Sequence, residues 1–340
     1  YSIAVDASGN VFTTGHFAGT ADFDPGPGTF NLTSAGNDDI FISKLDTDGN
    51  FVWAVRIGSA FLDYAYNMTI DNNGNIYITG LFRGTVDFDP GATVFNITSS
   101  IGTANNAYIL KLDTDSNFVW AKAFVGSNTI GNAVFVDALL NVYAVGYFVG
   151  TTDFNPGTST FNLTASGIED AFITKLDVNG DFVWAKSFEG SNNTRIADMT
   201  VDGGGSIYTT GYFLGTTDFD PGAGIDNHTS VGTTDIFICK LDSNGDFIWA
   251  KPLGGTSNDY GLGIITDAGG NVLTSGHFSS TIDFDPGPGV FNLTSAGGYD
   301  IFLSKLDSNG NHVWAVRAGA NTAFDDAANA ITIDPSGTIY

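Results

Sequence analysis

Asp22 to Gly58 reads DFDPGPGTFNLTSAGNDDIFISKLDTDGNFVWAVRIG, and almost every feature of this stretch comes back downstream. The Asp-Phe-Asp/Asn-Pro-Gly signature starts at Asp22, Asp87, Asp153, Asp218 and Asp283, and the tryptophans after it are Trp53, Trp120, Trp184, Trp249 and Trp314. The spacing is about 65 residues, and a fixed long period marks a repeat architecture before any other pattern is weighed. It overrides the two-domain prior for a chain of 340 residues, because repeats can form one unit. The chain divides into units 1–65, 66–131, 132–196, 197–261 and 262–328 with a partial unit 329–340, all within one repeat region 1–340.

Inside a unit the pattern is that of strands. Ser2 to Asp6 alternates and runs into Asp-Ala-Ser-Gly-Asn, a hairpin signal. A second strand follows, NVFTTGHF in the first unit and NIYITGLF in the second. Then comes an acidic connector in which Pro25 and Gly26 force a turn. TFNLTS, at its end, is either a short extra strand or an ordered loop. The third strand, DIFISKLD, is apolar on both faces and suits a sheet covered on both sides. The tight turn Asp46 to Asn50 leads to the fourth strand, FVWAVR. In the third unit the first turn is Asp137-Ala-Leu-Leu-Asn, a degraded version without glycine.

No segment has a sustained helical period, so the fold class is all-β. A four-stranded antiparallel sheet cannot bury two faces alone, and packing against its neighbours as a propeller blade solves this. The tryptophan column, with Phe23, Phe88, Phe154, Phe219 and Phe284, is the expected core between blades.

The columns A-V-D-x-x-G-N-V-F-x-T-G, D-F-x-P-G, D-I-F-I-x-K-L-D-x-x-G and V-W-A together resemble the bacterial β-propeller repeat family, the SBBP repeats. The resemblance covers essentially the whole chain. It implies a propeller and a secreted or surface setting in bacteria, and it implies no single activity. Asn329 to Tyr340 aligns with Tyr1 to Phe12, which gives five full repeats and a duplicated start. The expectation is a piece of a larger ring or a longer array.

The formal charge is −25. Nucleic acid is excluded as a partner, since nothing would neutralise its phosphates; cations or a basic surface are favoured. The cations fall into columns: Lys44, Lys111, Lys175, Lys240 and Lys305 in K-L-D, then Arg56, Lys122, Lys186, Lys251 and Arg317 after the tryptophans. Only Arg83 and Arg195 stand outside. Cys239 is the single cysteine, a small filler of a strand. No apolar run approaches the length of a membrane span, so membrane insertion is not expected.

The acidic connectors are the candidate site. Asp22/Asp24, Asp87/Asp89, Asp218/Asp220 and Asp283/Asp285 stand two apart, and the third copy is Asp153 with Asn155. If extended, each pair points to one side. Calcium takes six to eight oxygens, and these carboxylates with loop carbonyls would supply them. The alternative is that Asp24 caps the Pro-Gly turn and Asp22 meets a lysine. The turns between third and fourth strands, such as Asp46-Thr-Asp48-Gly-Asn50, fail the calcium-loop pattern and read as hairpin turns. The recurrent Asn-x-Thr at Asn31, Asn96, Asn162 and Asn292 reads as structural.

No residue breaks the repeat to form a distinct catalytic constellation, so no enzyme is expected. The expected function is a non-enzymatic extracellular scaffold or adhesion module whose repeated acidic loops meet protein or glycan surfaces, with calcium as the expected ion. A segment or subunit of a surface fibre, built by self-association, is one alternative; a glycan-binding or glycan-active propeller is another.

Overall fold

The structure, a computed structural model, describes residues 1–100, 104–321, 324–334 and 336–340. Among these every regular element is a strand, and no helix is long and apolar enough to cross a membrane. Two compact units are resolved: Tyr1–Thr164 with Ile173–Ala185, and Ala165–Phe172 with Lys186–Tyr340.

In the first unit, Ser2–Val5, Val11–Asp22, Asn31–Leu45 and Phe51–Ile57 form one four-stranded sheet, antiparallel throughout and in sequence order. The second unit holds two more sheets of this kind. Thr194–Val201, Ile207–Phe213, Asp235–Leu241 and Phe247–Leu253 form one; Asp259–Thr266, Val272–Phe278, Asp300–Leu306 and His312–Ala318 form the other. The link from second to third repeat differs. There the fourth strand runs straight into the next first strand as Phe118–Val136.

The connector segment is a strand, which settles what TFNLTS becomes. Asn96–Thr98 pairs with Thr85–Asp87, and Asn292–Thr294 with Thr281–Asp283. In the first repeat it merges with the third strand. Its threonines pair too: Thr85 with Thr98 at 2.9 Å, Thr281 with Thr294 at 2.8 Å.

Each hairpin turn is built by an aspartate. Asp46 Oδ1 accepts from the Asp48 and Asn50 amides, at 2.9 and 2.8 Å, and Gly49 supplies the positive φ of 80°. Asp137 makes the same bonds to the Leu139 and Asn141 amides in the degraded turn, with Leu140 forced to φ 64°. Tyr340 and Thr332 exchange backbone hydrogen bonds across a hairpin of the same design.

Neighbouring sheets share their cores. In the first unit Phe12, Ile40 and Ile42 pack with Ile76, Ile78, Phe82 and Phe88. In the second, Tyr208, Ile236 and Ile238 pack with Ile264, Val272, Phe278 and Phe284. Burying one such side chain contributes roughly 1.5–3 kcal/mol. Phe88, Phe154, Phe219 and Phe284 are fully buried, as their column predicts, while Phe23 is only half-buried.

The tryptophans differ from expectation: they are half-buried and lie at the core's margin. Trp53 meets Phe12 and Trp249 meets Tyr208 edge-on, centroids 6.0 and 6.3 Å apart. For Trp120 and Trp249 the indole nitrogen accounts for this placement, because it reaches a turn of the following repeat, whereas the Trp53 indole nitrogen is buried without a partner. Trp120 Nε1 donates to the Val178 carbonyl at 3.4 Å, and Trp249 Nε1 to Ser308 at 3.3 Å.

The cations after the tryptophans form two columns, not one. Arg56 and Arg317 point at the buried Asp39 and Asp300 of their own sheets. Lys122 and Lys186, one residue nearer the tryptophan, point the other way. They reach Asp181 at 3.8 Å and Asp246 at 3.6 Å, in the turns of the next repeat. Alternation along a strand dictates the split.

Candidate binding face

The connector carboxylates are turn clamps. Asp22 Oδ1 accepts from the Asp24 amide at 3.0 Å and from the Phe30 amide at 2.8 Å, closing the loop, while Asp24 Oδ1 accepts from Gly26 at 2.8 Å. The pairs are therefore bent, not extended, because the first carboxylate folds onto the amide two residues on. The arrangement returns in every copy. Asp87 holds Asp89 and Phe95; Asp153 holds Asn155 and Phe161. Asp218 holds Asp220 and Asp226; Asp283 holds Asp285 and Phe291. Asp89, Asp220 and Asp285 each clamp the glycine two residues on.

At the fourth repeat's connector the third repeat adds an acid. Glu189 is the cross-strand partner of Asp218, and both line a small polar cavity of about 80 Å³ with Asp220 and Ser187. Among the described residues no three His, Cys, Asp or Glu side chains converge to hold a metal ion.

A different set of residues gathers where each first strand begins. One backbone bond marks the place in every repeat. In the first unit the Asp63 and Thr129 amides donate to the carbonyls of Asp38 and Asn105, both at 2.9 Å. In the second, the Thr194, Asp259 and Asp326 amides donate to Glu169, Thr234 and Tyr299, at 2.9, 2.8 and 2.8 Å. The backbone is constant while the side chains are not. The carbonyl column reads Asp38, Asn105, Glu169, Thr234, Tyr299. The first-strand column reads Tyr64, Ile130, Arg195, Tyr260, and its second-strand partners are Leu81, Tyr147, Tyr212 and His277.

Local backbone geometry presents these side chains. A β-bulge in the first strand, at Ile196/Asp198 and Gly261/Gly263, pushes a carbonyl toward the second strand. A Cβ on Gly211 would lie 1.9 Å from the Arg195 carbonyl oxygen, and one on Gly276 would lie 1.9 Å from that of Tyr260. Only glycine admits the approach. The recurring Thr/Ser-Gly of the second strand thus positions Arg195 and Tyr260. At the bulge, Asp198 Oδ2 accepts from the Ile264 amide of the next first strand at 2.9 Å, and burial pushes this carboxyl up to about 6.

In the first unit the cluster is His16 stacked on Tyr64, centroids 4.0 Å apart, with the Tyr64 hydroxyl donating to Asp38 at 3.0 Å. Arg83 Nε donates to Asn105 at 2.6 Å, and Asn105 donates to Asn128 at 2.8 Å. Burial lowers the His16 pKa against the pull of Asp38, and its buried Nδ1 has no hydrogen-bond partner. Burial pushes the Tyr66 hydroxyl up to about 12.

In the second unit Arg195 grips Glu169 with two bonds, Nε to Oε2 at 2.5 Å and Nη2 to Oε1 at 2.8 Å. It also donates to the Tyr212 hydroxyl at 3.2 Å. Tyr212, Tyr260, His277 and Tyr299 follow in ring-to-ring contact. Burial lowers the His277 pKa, as it does that of His16. This constellation lies outside the columns that the repeats share. The signals that find it are Arg83 and Arg195, the two cations outside both columns, and the histidines at 16 and 277.

Among known proteins, the chain is similar to an uncharacterized WD repeat-containing protein, L264, of Acanthamoeba polyphaga mimivirus, 23% identical over 99% of this chain and 29% of that protein. It is similar to the regulatory protein FlaEY of Caulobacter vibrioides, 26% identical over 56% of this chain and 19% of that protein. The chain spans less than a third of the length of these curated relatives. A solved structure of a protein of unknown function from Bacteroides caccae matches with a TM-score of 0.34 at 10% identity, covering 90% of this chain and 94% of that one. The beta-propeller repeat family model, SBBP, matches residues 52–81. That segment runs from the fourth strand of one repeat into the second strand of the next, so the match to the SBBP model spans the junction of two units.

Proposed function

We propose that this chain is a non-enzymatic, propeller-type scaffold that holds protein where the first strands of its repeats begin. One observation carries the reading: the backbone bond at that place is the same in every repeat, while the side chains around it are not. In a repeat array, positions that serve packing keep their residues. Positions released from that duty can be fitted to a partner, and this face is rich in tyrosine and arginine, the residues that dominate protein interfaces. The name of the viral relative, a WD repeat-containing protein, supports a scaffold. The family resemblance supports a secreted or surface setting. The acidic connectors support calcium as an auxiliary ligand, at a place separate from the partner's.

Affinity capture with the full chain tests this, using wild type, Tyr64→Ala, Arg195→Ala, and Val290→Ser on an exposed connector, each with and without chelator. The expected result is a partner held by wild type and Val290→Ser and lost by the face variants. A partner held equally by all of them overturns the proposal.

A further inference from the structure

The second unit carries a ladder of rings. Tyr212 meets Tyr260 edge to face with centroids 4.8 Å apart, Tyr260 lies 4.9 Å from His277, and His277 lies 4.8 Å from Tyr299. All four are half-buried, so each keeps part of its surface in water. The charge around them is acidic. The Arg195 guanidinium is engaged by both oxygens of Glu169. Burial lowers the His277 pKa. Asp325 is exposed and accepts from the Tyr299 amide at 3.0 Å, and the whole chain carries −25.

An aromatic face with a nearby carboxylate attracts a cation. The molecule uses this pairing for itself: Lys240 Nζ sits 4.9 Å above the Tyr208 ring, and the Arg195 guanidinium sits 5.9 Å from the Tyr212 ring. Arginine is the better occupant than lysine, because its planar group stacks on a ring and is weakly hydrated. We infer that the ladder Tyr212–Tyr260–His277–Tyr299 docks the arginine side chains of a basic segment in a protein partner, with Asp325 supplying the counter-charge. The inference names the partner's chemistry and rests on the reading that this face binds protein.

The test uses the full chain and fluorescence anisotropy with three labelled peptides: one rich in arginine, the same peptide with citrulline in place of arginine, and one rich in glutamate. Tyr260→Leu removes the ring and keeps the bulk; its circular dichroism and melting temperature confirm the fold. The arginine peptide is expected to bind, more weakly as salt rises. Citrulline, or Tyr260→Leu, is expected to weaken it roughly tenfold, the size of one well-placed cation–π contact. Equal binding of the citrulline peptide, or of the arginine peptide to Tyr260→Leu, overturns the inference. If no peptide binds while affinity capture still loses its partner in Arg195→Ala, the arginine inference fails and the binding face stands; if capture is also indifferent, both fail.

Discussion

The Arg56 guanidinium reaches across its own sheet to Asp39, Nη1 to Oδ2 at 2.5 Å. In the fourth repeat the acid is kept as Asp235 and the arginine is replaced by Pro252. Asp235 is buried, its Oδ2 accepts from the Val231 amide at 2.8 Å, and its Oδ1 has no partner. Asp259, also buried, is held by the Gly255 and Ser279 amides, both at 3.0 Å. Burial pushes Asp235 up to about 7, against the pull of the Val231 amide and with a push from the Asp259 charge. Burial raises Asp259 to about 6.

Raised carboxyls bind protons more tightly in the folded state than in the unfolded one, so stability falls as pH rises. The window runs from the unfolded value, about 4, to about 7, the folded value of Asp235. Asp235→Asn should flatten this slope and raise the melting temperature at pH 8 relative to wild type. Melting curves from pH 4 to pH 8 check it; an unchanged slope would show that the pair does not titrate there.

The connector clamps separate two roles of one carboxylate. Asp283→Ala frees the Asp285 and Phe291 amides and should cost about 1–3 kcal/mol. Asp283→Asn keeps the accepting oxygen and should cost much less. If calcium also binds there, wild type gains melting temperature on adding it, and Asp283→Asn loses that gain while keeping most of its stability without the ion. Differential scanning calorimetry with calcium and with chelator reads both effects.

Leu140 occupies the place of glycine in the third repeat's first turn, at φ 64°. A residue with a Cβ pays roughly 1–2 kcal/mol in this conformation. Leu140→Gly should therefore stabilise by about 1 kcal/mol after the entropy of glycine is deducted. Denaturant melts should show a higher midpoint with an unchanged slope.

The strands were legible because alternation and turn chemistry act within a few residues. Asp46 and Gly49 specify their hairpin locally, and Phe88 its burial. The partly exposed tryptophans were not legible, since the carbonyls that receive Trp120 and Trp249 lie more than fifty residues downstream. Nor was the bend at Asp22, where the choice between extension and a clamp is made by the Phe30 amide across the loop. The ring ladder was hidden for a third reason. Repetition directs the eye to columns that agree, and Arg195, Tyr260 and Tyr299 sit in columns that do not.

The fifth repeat tests how a lysine chooses between a ring and a carboxylate. Lys44, Lys111, Lys175 and Lys240 each hold Nζ 4.9–5.0 Å over an aromatic ring of the second strand: Phe12, Tyr77, Tyr143 and Tyr208. In the fifth repeat that ring position is Leu273, and Lys305 turns instead to Asp267 at 2.7 Å. Burial pushes Asp267 up, but the Lys305 ammonium and the Asn271 side chain outweigh it and hold the carboxyl at about 2. This lowered carboxyl supports the fold above its unfolded pKa, and the support is lost as pH falls through about 2. Leu273→Tyr should give Lys305 a ring and place a hydroxyl beside Asp267, as Tyr208 does for Asp202 at 3.1 Å. Carboxyl NMR titration should then show Asp267 still depressed when Lys305→Met is added to Leu273→Tyr, and raised when Lys305→Met is made alone. Equal values in the two variants would mean that the tyrosine hydroxyl cannot take over the lysine's part.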